Sequence, residues 1–130
     1  MTLETVRAIC LALPGVTEDV KWGDDLVFSV GGKMFAAMDL DPPHSLAFKC
    51  APEMFHELVE RDGIVPAPCL ARAMWVQEQE LGVALDRTEL EPLLRAAYAL
   101  VAAKLPRSRR PAEPPSGTEP RARKTTRARR

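Results

Sequence analysis

Two histidines, three cysteines and an acidic stretch are the residues of this chain best equipped for chemistry. His44 stands in a proline-rich segment and His56 on what reads as a helix flank, and neither has a sequence neighbour that would tune it as a general base. Cys10, Cys50 and Cys69 are odd in number and share no C-x-x-C or comparable spacing, so they suggest neither a disulfide framework nor a zinc site. Cys10 falls on an apolar helical stripe, where a thiol behaves as a small hydrophobe, and nothing in the local sequence activates Cys69. Glu18, Asp19, Asp24 and Asp25 could gather a hard cation, with Asp24 and Asp25 the metal candidates. An Asp pair is equally what a turn before a strand looks like, because Asp bonds its own backbone. Gly31-Gly32 lacks the further glycines and following helix of a phosphate-binding loop. With no catalytic set and no cofactor motif, the expectation is a non-catalytic protein without a cofactor.

What remains is charge. Lys and Arg number 18, as do Asp and Glu, but the balance is split along the chain. Through Leu105, nine basic residues face sixteen acids, a net of −7; from Pro106 onward, nine face two, a net of +7. Such asymmetry points to a polyanion partner, DNA or RNA. The physically simpler carrier is the end of the chain: Arg107, Arg109, Arg110, Arg121, Arg123, Lys124, Arg127, Arg129 and Arg130 can each neutralise a phosphate, adding ~0.9 to the salt slope on a duplex without reading a base. The alternatives are a solvated charged terminus or one folded back on the acidic body. Binding by the body itself needs a local patch, with Lys33, Lys49 and Arg72 as its cations. Trp22 and Trp75 read first as core or sheet-face aromatics, and Trp75 is the one kept as a contact candidate.

The elements that must position these groups follow from periodicity. Leu3, Val6, Ile9, Cys10 and Leu13 mark a helix over 3–12 capped by Thr2, and Pro14-Gly15 ends it. Leu26, Phe28 and Val30 alternate up to Gly31-Gly32, and Met34, Ala36 and Met38 alternate back, which predicts a hairpin with a type I′ turn. A strand over 45–50 and a helix over 52–61 opened by Pro52 come next. Residues 64–68 read as extended or turning, and Met74-Trp75-Val76 enters a last strand. Thr88 and Glu91 match a capping box for a helix whose stripe runs from Leu90 to Leu105, with Pro92 pushing the regular part toward Glu91. Five prolines between 106 and 120 and the loss of periodicity predict a disordered Pro/Arg-rich tail over 107–130 behind a domain at 1–106. No apolar run approaches the ~18 residues of a membrane span, and Glu4 sits where a secretory signal carries only basic charge. A cytoplasmic protein with no membrane partner is expected.

In that order, Leu13-Pro14-Gly15-Val16-Thr17-Glu18, then Gly31-Gly32-Lys33-Met34-Phe35-Ala36, then Ala67-Pro68-Cys69-Leu70-Ala71-Arg72 ahead of Trp75, then Tyr98 through Lys104-Leu105-Pro106, the chain resembles the MmcQ/YjbR family of small bacterial proteins. The resemblance covers about residues 3–107. It implies an α+β fold, an antiparallel sheet flanked by N- and C-terminal helices and similar to that of frataxin-like proteins, described as a double-wing module with a DNA-binding role. Where many relatives carry Asn-Lys-x-His-Trp, this chain has Ala71-Arg72-Ala73-Met74-Trp75, keeping a base and the Trp. The expectation is a DNA-binding protein with a basic arm; the alternatives are a protein- or small-ligand-binding module and, third, a metal-binding domain.

Overall fold

Alternation and helical stripes become six strands and three α-helices in the computed structural model, which describes residues 1–68 and 70–111. The expectations placed on Cys69, Arg121, Arg123, Lys124, Arg127, Arg129 and Arg130 fall outside the described residues. Helix α1 (Leu3–Leu11) is capped by Thr2, whose side chain accepts from the Thr5 amide. Strands β1 (Val16–Lys21), β2 (Asp25–Val30), β3 (Lys33–Asp39) and β4 (Leu46–Lys49) follow, then helix α2 (Pro52–Leu58) and strand β5 (Ile64–Pro66). A 3-10 turn (Ala71–Ala73) precedes strand β6 (Trp75–Glu78), helix α3 (Arg87–Ala103) and a second 3-10 turn (Arg107–Arg109). The strands form one antiparallel sheet in the order β1-β2-β3-β4-β6-β5.

One face of the sheet supplies Leu26, Phe28, Phe35, Met38, Leu46, Phe48 and Val76 to the core, and helices cover it with Val6, Ile9, Leu90, Leu94 and Ala97. The register puts Val27, Ala37, Ala47 and Gln77 in one row on the other face. Gly31 and Gly32 take φ of 58° and 82°, the two positive values that a type I′ turn demands, so the predicted hairpin is present as read. Gly31 has a second reason to be glycine. A Cβ there would lie 2.5 Å from Leu105 Cδ1 and 3.0 Å from the Arg109 carbonyl oxygen, so the hairpin tip and the end of α3 meet only because no side chain stands between them.

Four points differ from the sequence reading. Glu18 and Asp19 lie on edge strand β1, to which periodicity assigns no element; Val20 is 53% exposed there, so an edge strand with little to bury gives almost no alternation to read. The cap of α3 is Asp86, not Thr88: Asp86 accepts from the Glu89 amide at 2.9 Å, and Thr88 donates to the same carboxylate at 2.7 Å. Both pairs fit the pattern; the earlier one lengthens the helix by two residues, about half a turn, and leaves Glu91 to pair with Arg87 and Arg95. The helix is regular from Arg87 and runs through Pro92 with one hydrogen bond fewer, rather than becoming regular only near Glu91. Finally, the chain keeps to the domain past Pro106. Arg110 donates from Nε to the Leu105 carbonyl at 3.0 Å and from Nη2 to the Ala103 carbonyl at 3.1 Å, satisfying carbonyls that the end of α3 leaves open. Pro111 packs against Gly15, within 3.0 Å of where a Cβ would stand.

Tyr98 ties the Pro14-Gly15 corner to α3: its hydroxyl donates to the Pro14 carbonyl at 2.6 Å, and its ring meets Phe35 edge-on at 5.7 Å. Glu78, fully buried at the end of β6, accepts from the Ala84 and Leu85 amides at 3.0 and 2.8 Å and so fastens the approach to α3. No helix among the described residues is long and apolar enough to cross a membrane.

Candidate functional site

Three separated segments bring lysines to one end of the sheet. Lys33 opens β3 directly after the hairpin tip, Lys49 closes β4, and Lys104 caps the C-terminus of α3. Together they border a groove of about 480 Å³. Its floor is apolar: Met34, Trp75, Val101 and Leu105, with Ala73 and Pro106 at the sides. The register that places Lys49 opposite Trp75, and the bare Gly31 that admits Leu105, are what close these segments around one space.

The groove is cationic for a reason that the ion pairs make plain. Arg7 is held by Glu4 and Glu18, Arg61 by Glu89, and Arg87 and Arg95 by Glu91. Among the described residues no carboxylate stands within ion-pair distance of Lys33, Lys49, Lys104, Arg72, Arg107 or Arg109. Lys49 instead donates to the Ala73 carbonyl at 2.8 Å. Burial, and then the neighbouring Lys104 cation, holds the Lys49 ammonium below its ordinary pKa. These charges crowd one another without an anion among them.

Of the sequence candidates, Lys33, Lys49 and Trp75 come together here. Arg72 is exposed in the same three-residue turn as Ala73, while Arg107 and Arg109 are exposed in the turn that follows Pro106. Arg110 is a structural cap rather than a free cation. Trp75 is only 4% exposed, so it lends the groove an edge and cannot serve as a stacking platform, whereas Trp22, expected on the core or a sheet face, is 69% exposed in the β1–β2 turn. Lys104 is the rim residue that sequence reasoning passed over. Its position after the apolar stripe of α3, where the helix dipole favours a cation, is the signal that could have found it. Met74, next to Trp75, holds a left-handed backbone (φ 63°, ψ 45°), a conformation costing about 1–2 kcal/mol for a side-chain-bearing residue. It turns the chain so that the Ala73 carbonyl faces Lys49 while the Met74 carbonyl accepts from the Cys50 amide at 2.8 Å.

The other candidates are placed as follows. Asp24 stands in the turn before β2, and Asp25 begins that strand opposite Asp39; burial first, then the Asp39 and Asp24 charges, raises the Asp25 pKa. Among the described residues no three His, Cys, Asp or Glu side chains gather as a metal site. Burial pushes the Cys10 thiol up to about 12 and the Cys50 thiol to about 11. His44 Nδ1 lies 3.0 Å from the Asp39 carbonyl oxygen, and His56 is exposed on α2.

Comparison with known proteins places this architecture. The YjbR family model matches residues 11–100. The crystal structure of Deinococcus radiodurans protein DR2400, a DUF419 domain, superposes with a TM-score of 0.75 at 31% identity, covering 84% of this chain and 85% of that one. A protein from Pseudomonas syringae superposes with a TM-score of 0.65 at 20% identity over 77% of this chain and 98% of its own, a likeness of fold. No curated protein matches the chain.

Proposed function

The chain belongs to the YjbR family, a membership that gives it a fold and not a chemistry, and we propose from its groove that it is a non-catalytic nucleic-acid-binding protein. The observation that carries this reading is the convergence of Lys33, Lys49 and Lys104, free of carboxylates, on a domain otherwise rich in acid. A body with net negative charge repels phosphate at long range, so binding needs a place where cations outnumber acids locally. Arg72, Arg107 and Arg109 extend that place, and the basic residues from Arg121 to Arg130 supply further phosphate contacts that read no base. Support for a non-catalytic role is that both described thiols are held protonated at neutral pH and, among the described residues, no nucleophilic side chain is hydrogen-bonded to either histidine.

Fluorescence anisotropy of end-labelled DNA and RNA against the full chain, across a salt series, tests the proposal. Binding that weakens steeply with salt is expected. Replacing Arg121, Arg123, Lys124, Arg127, Arg129 and Arg130 by Gln should lower the slope and leave salt-dependent binding behind; no binding at low salt overturns the reading. A second reading, a small-ligand module without nucleic-acid activity, is favoured by the apolar floor, and calorimetry showing a small amphipathic anion bound while nucleic acid is ignored would establish it instead.

A further inference from the structure

The floor of the groove is the feature that phosphate binding leaves unused. A duplex offers the protein a wall of phosphates, and cations on a polar surface suffice to meet it. Here the cations rim an apolar recess of about 480 Å³, within the range of small-ligand pockets, lined by Met34, Trp75, Val101 and Leu105. Water in such a recess finds few partners. An occupant that gains from both parts must carry an anionic group and an apolar, flat body close together, and a nucleotide whose base is unstacked has that form. We propose that the groove takes one unstacked nucleotide, base against the floor and phosphate among Lys33, Lys49 and Lys104, so that the protein prefers single-stranded nucleic acid to duplex.

The inference rests on the nucleic-acid reading and narrows it. Met34 is half-buried and sits beside Lys33, which brings an adjustable apolar side chain to the same place as a cation. The crowding of Lys49 by Lys104 is relieved by an anion between them. Trp75 contributes an edge, so its role is to wall the base in, not to stack on it.

The chain has two tryptophans, and replacing the exposed one by Trp22→Phe leaves Trp75 as the reporter. The full chain with that substitution is titrated with an unlabelled single strand, with its duplex of equal length, with adenosine monophosphate and with inorganic phosphate. Anisotropy competition is run in parallel. The expected result is single strand bound about tenfold more tightly than duplex at equal salt. Trp75 emission should change with single strand and with the mononucleotide but not with inorganic phosphate. Because Trp75→Ala risks unfolding a buried position, the second variant is Met34→Ala, which should weaken single-strand binding several-fold and leave duplex binding unchanged. Duplex bound as tightly as single strand, with Trp75 emission unmoved, overturns this inference while the nucleic-acid reading stands. Failure to bind either form overturns both.

Discussion

The two ends of the β2–β3 hairpin carry opposite charges about 17 Å apart, five residues at ~3.3 Å each. At the open end Asp25 faces Asp39 across the strands, with Asp24 and Asp41 beside them. At the tip Lys33 meets Lys49 and Lys104. At both ends burial, and after it the like charges nearby, shifts a titration: the Asp25 carboxyl is pushed up and the Lys49 ammonium pushed down. The difference is in what else the groups do. Asp39 accepts from the Asp41 amide at 2.9 Å, and the Leu40 amide bonds the Asp24 carbonyl at 2.8 Å, so the acids belong to turns that the backbone needs. The Lys33 and Lys104 side chains make no hydrogen bond among the described residues, and the Lys49 side chain is tied to the Ala73 carbonyl alone. The acids shape the turns they stand in; of the three lysine side chains only that of Lys49 holds a piece of backbone, and the other two border an apolar recess.

Substitutions at the two ends should therefore behave differently. The largest effect is expected from replacing Lys33, Lys49 and Lys104 together by Gln, which should cost most of the affinity and lower the slope of log affinity against log salt by about 0.7–0.9, the share of one phosphate, whereas Asp24→Asn with Asp25→Asn should leave binding intact or slightly tighter; parallel anisotropy titrations decide. Next is Gly31→Ala. Positive φ and the contact with Leu105 together should cost about 2–4 kcal/mol, read by urea unfolding, with binding weakened as the tip moves off α3. Asp25→Asn should stabilise by about 0.5 kcal/mol at neutral pH. The sign follows from the raised pKa: the folded state holds the proton more tightly than the unfolded chain, so the ionised carboxylate costs stability above that pKa. The advantage of Asn should accordingly shrink as pH falls through the Asp25 titration, which thermal melts between neutral and acid pH would show. The smallest effect belongs to Arg110→Ala, about 0.5 kcal/mol from the loss of its bonds to the last carbonyls of α3, with little change in binding because those bonds already occupy the guanidinium.

How much of this is legible in the sequence varies with the range of the interaction that decides it. The hairpin is legible because two adjacent glycines and two alternating runs state it locally. The cores of α1 and α3 are legible because a helical stripe needs only its own residues. Strand β1 is not, since its exposed residues have no apolar face to repeat. The choice between Asp86 and Thr88 as cap is not, because two patterns overlap and only packing selects between them. Glu78 reads as one more polar residue in a strand; that the two amides following Gly82-Val83 return to it is a matter of the loop's path. The groove is least legible of all. Lys33, Lys49 and Lys104 are far apart in sequence, and their meeting depends on the β4–β6 register and on a contact between Gly31 and Leu105 that no local pattern records.

The most direct test compares the full chain with its Lys33→Gln, Lys49→Gln, Lys104→Gln variant in salt-series anisotropy on one single-stranded oligonucleotide, after circular dichroism has matched their folds. A variant with markedly lower affinity and a flatter salt dependence is the predicted result. Identical curves for the two proteins would contradict the claim that this end of the sheet is where the anion is held.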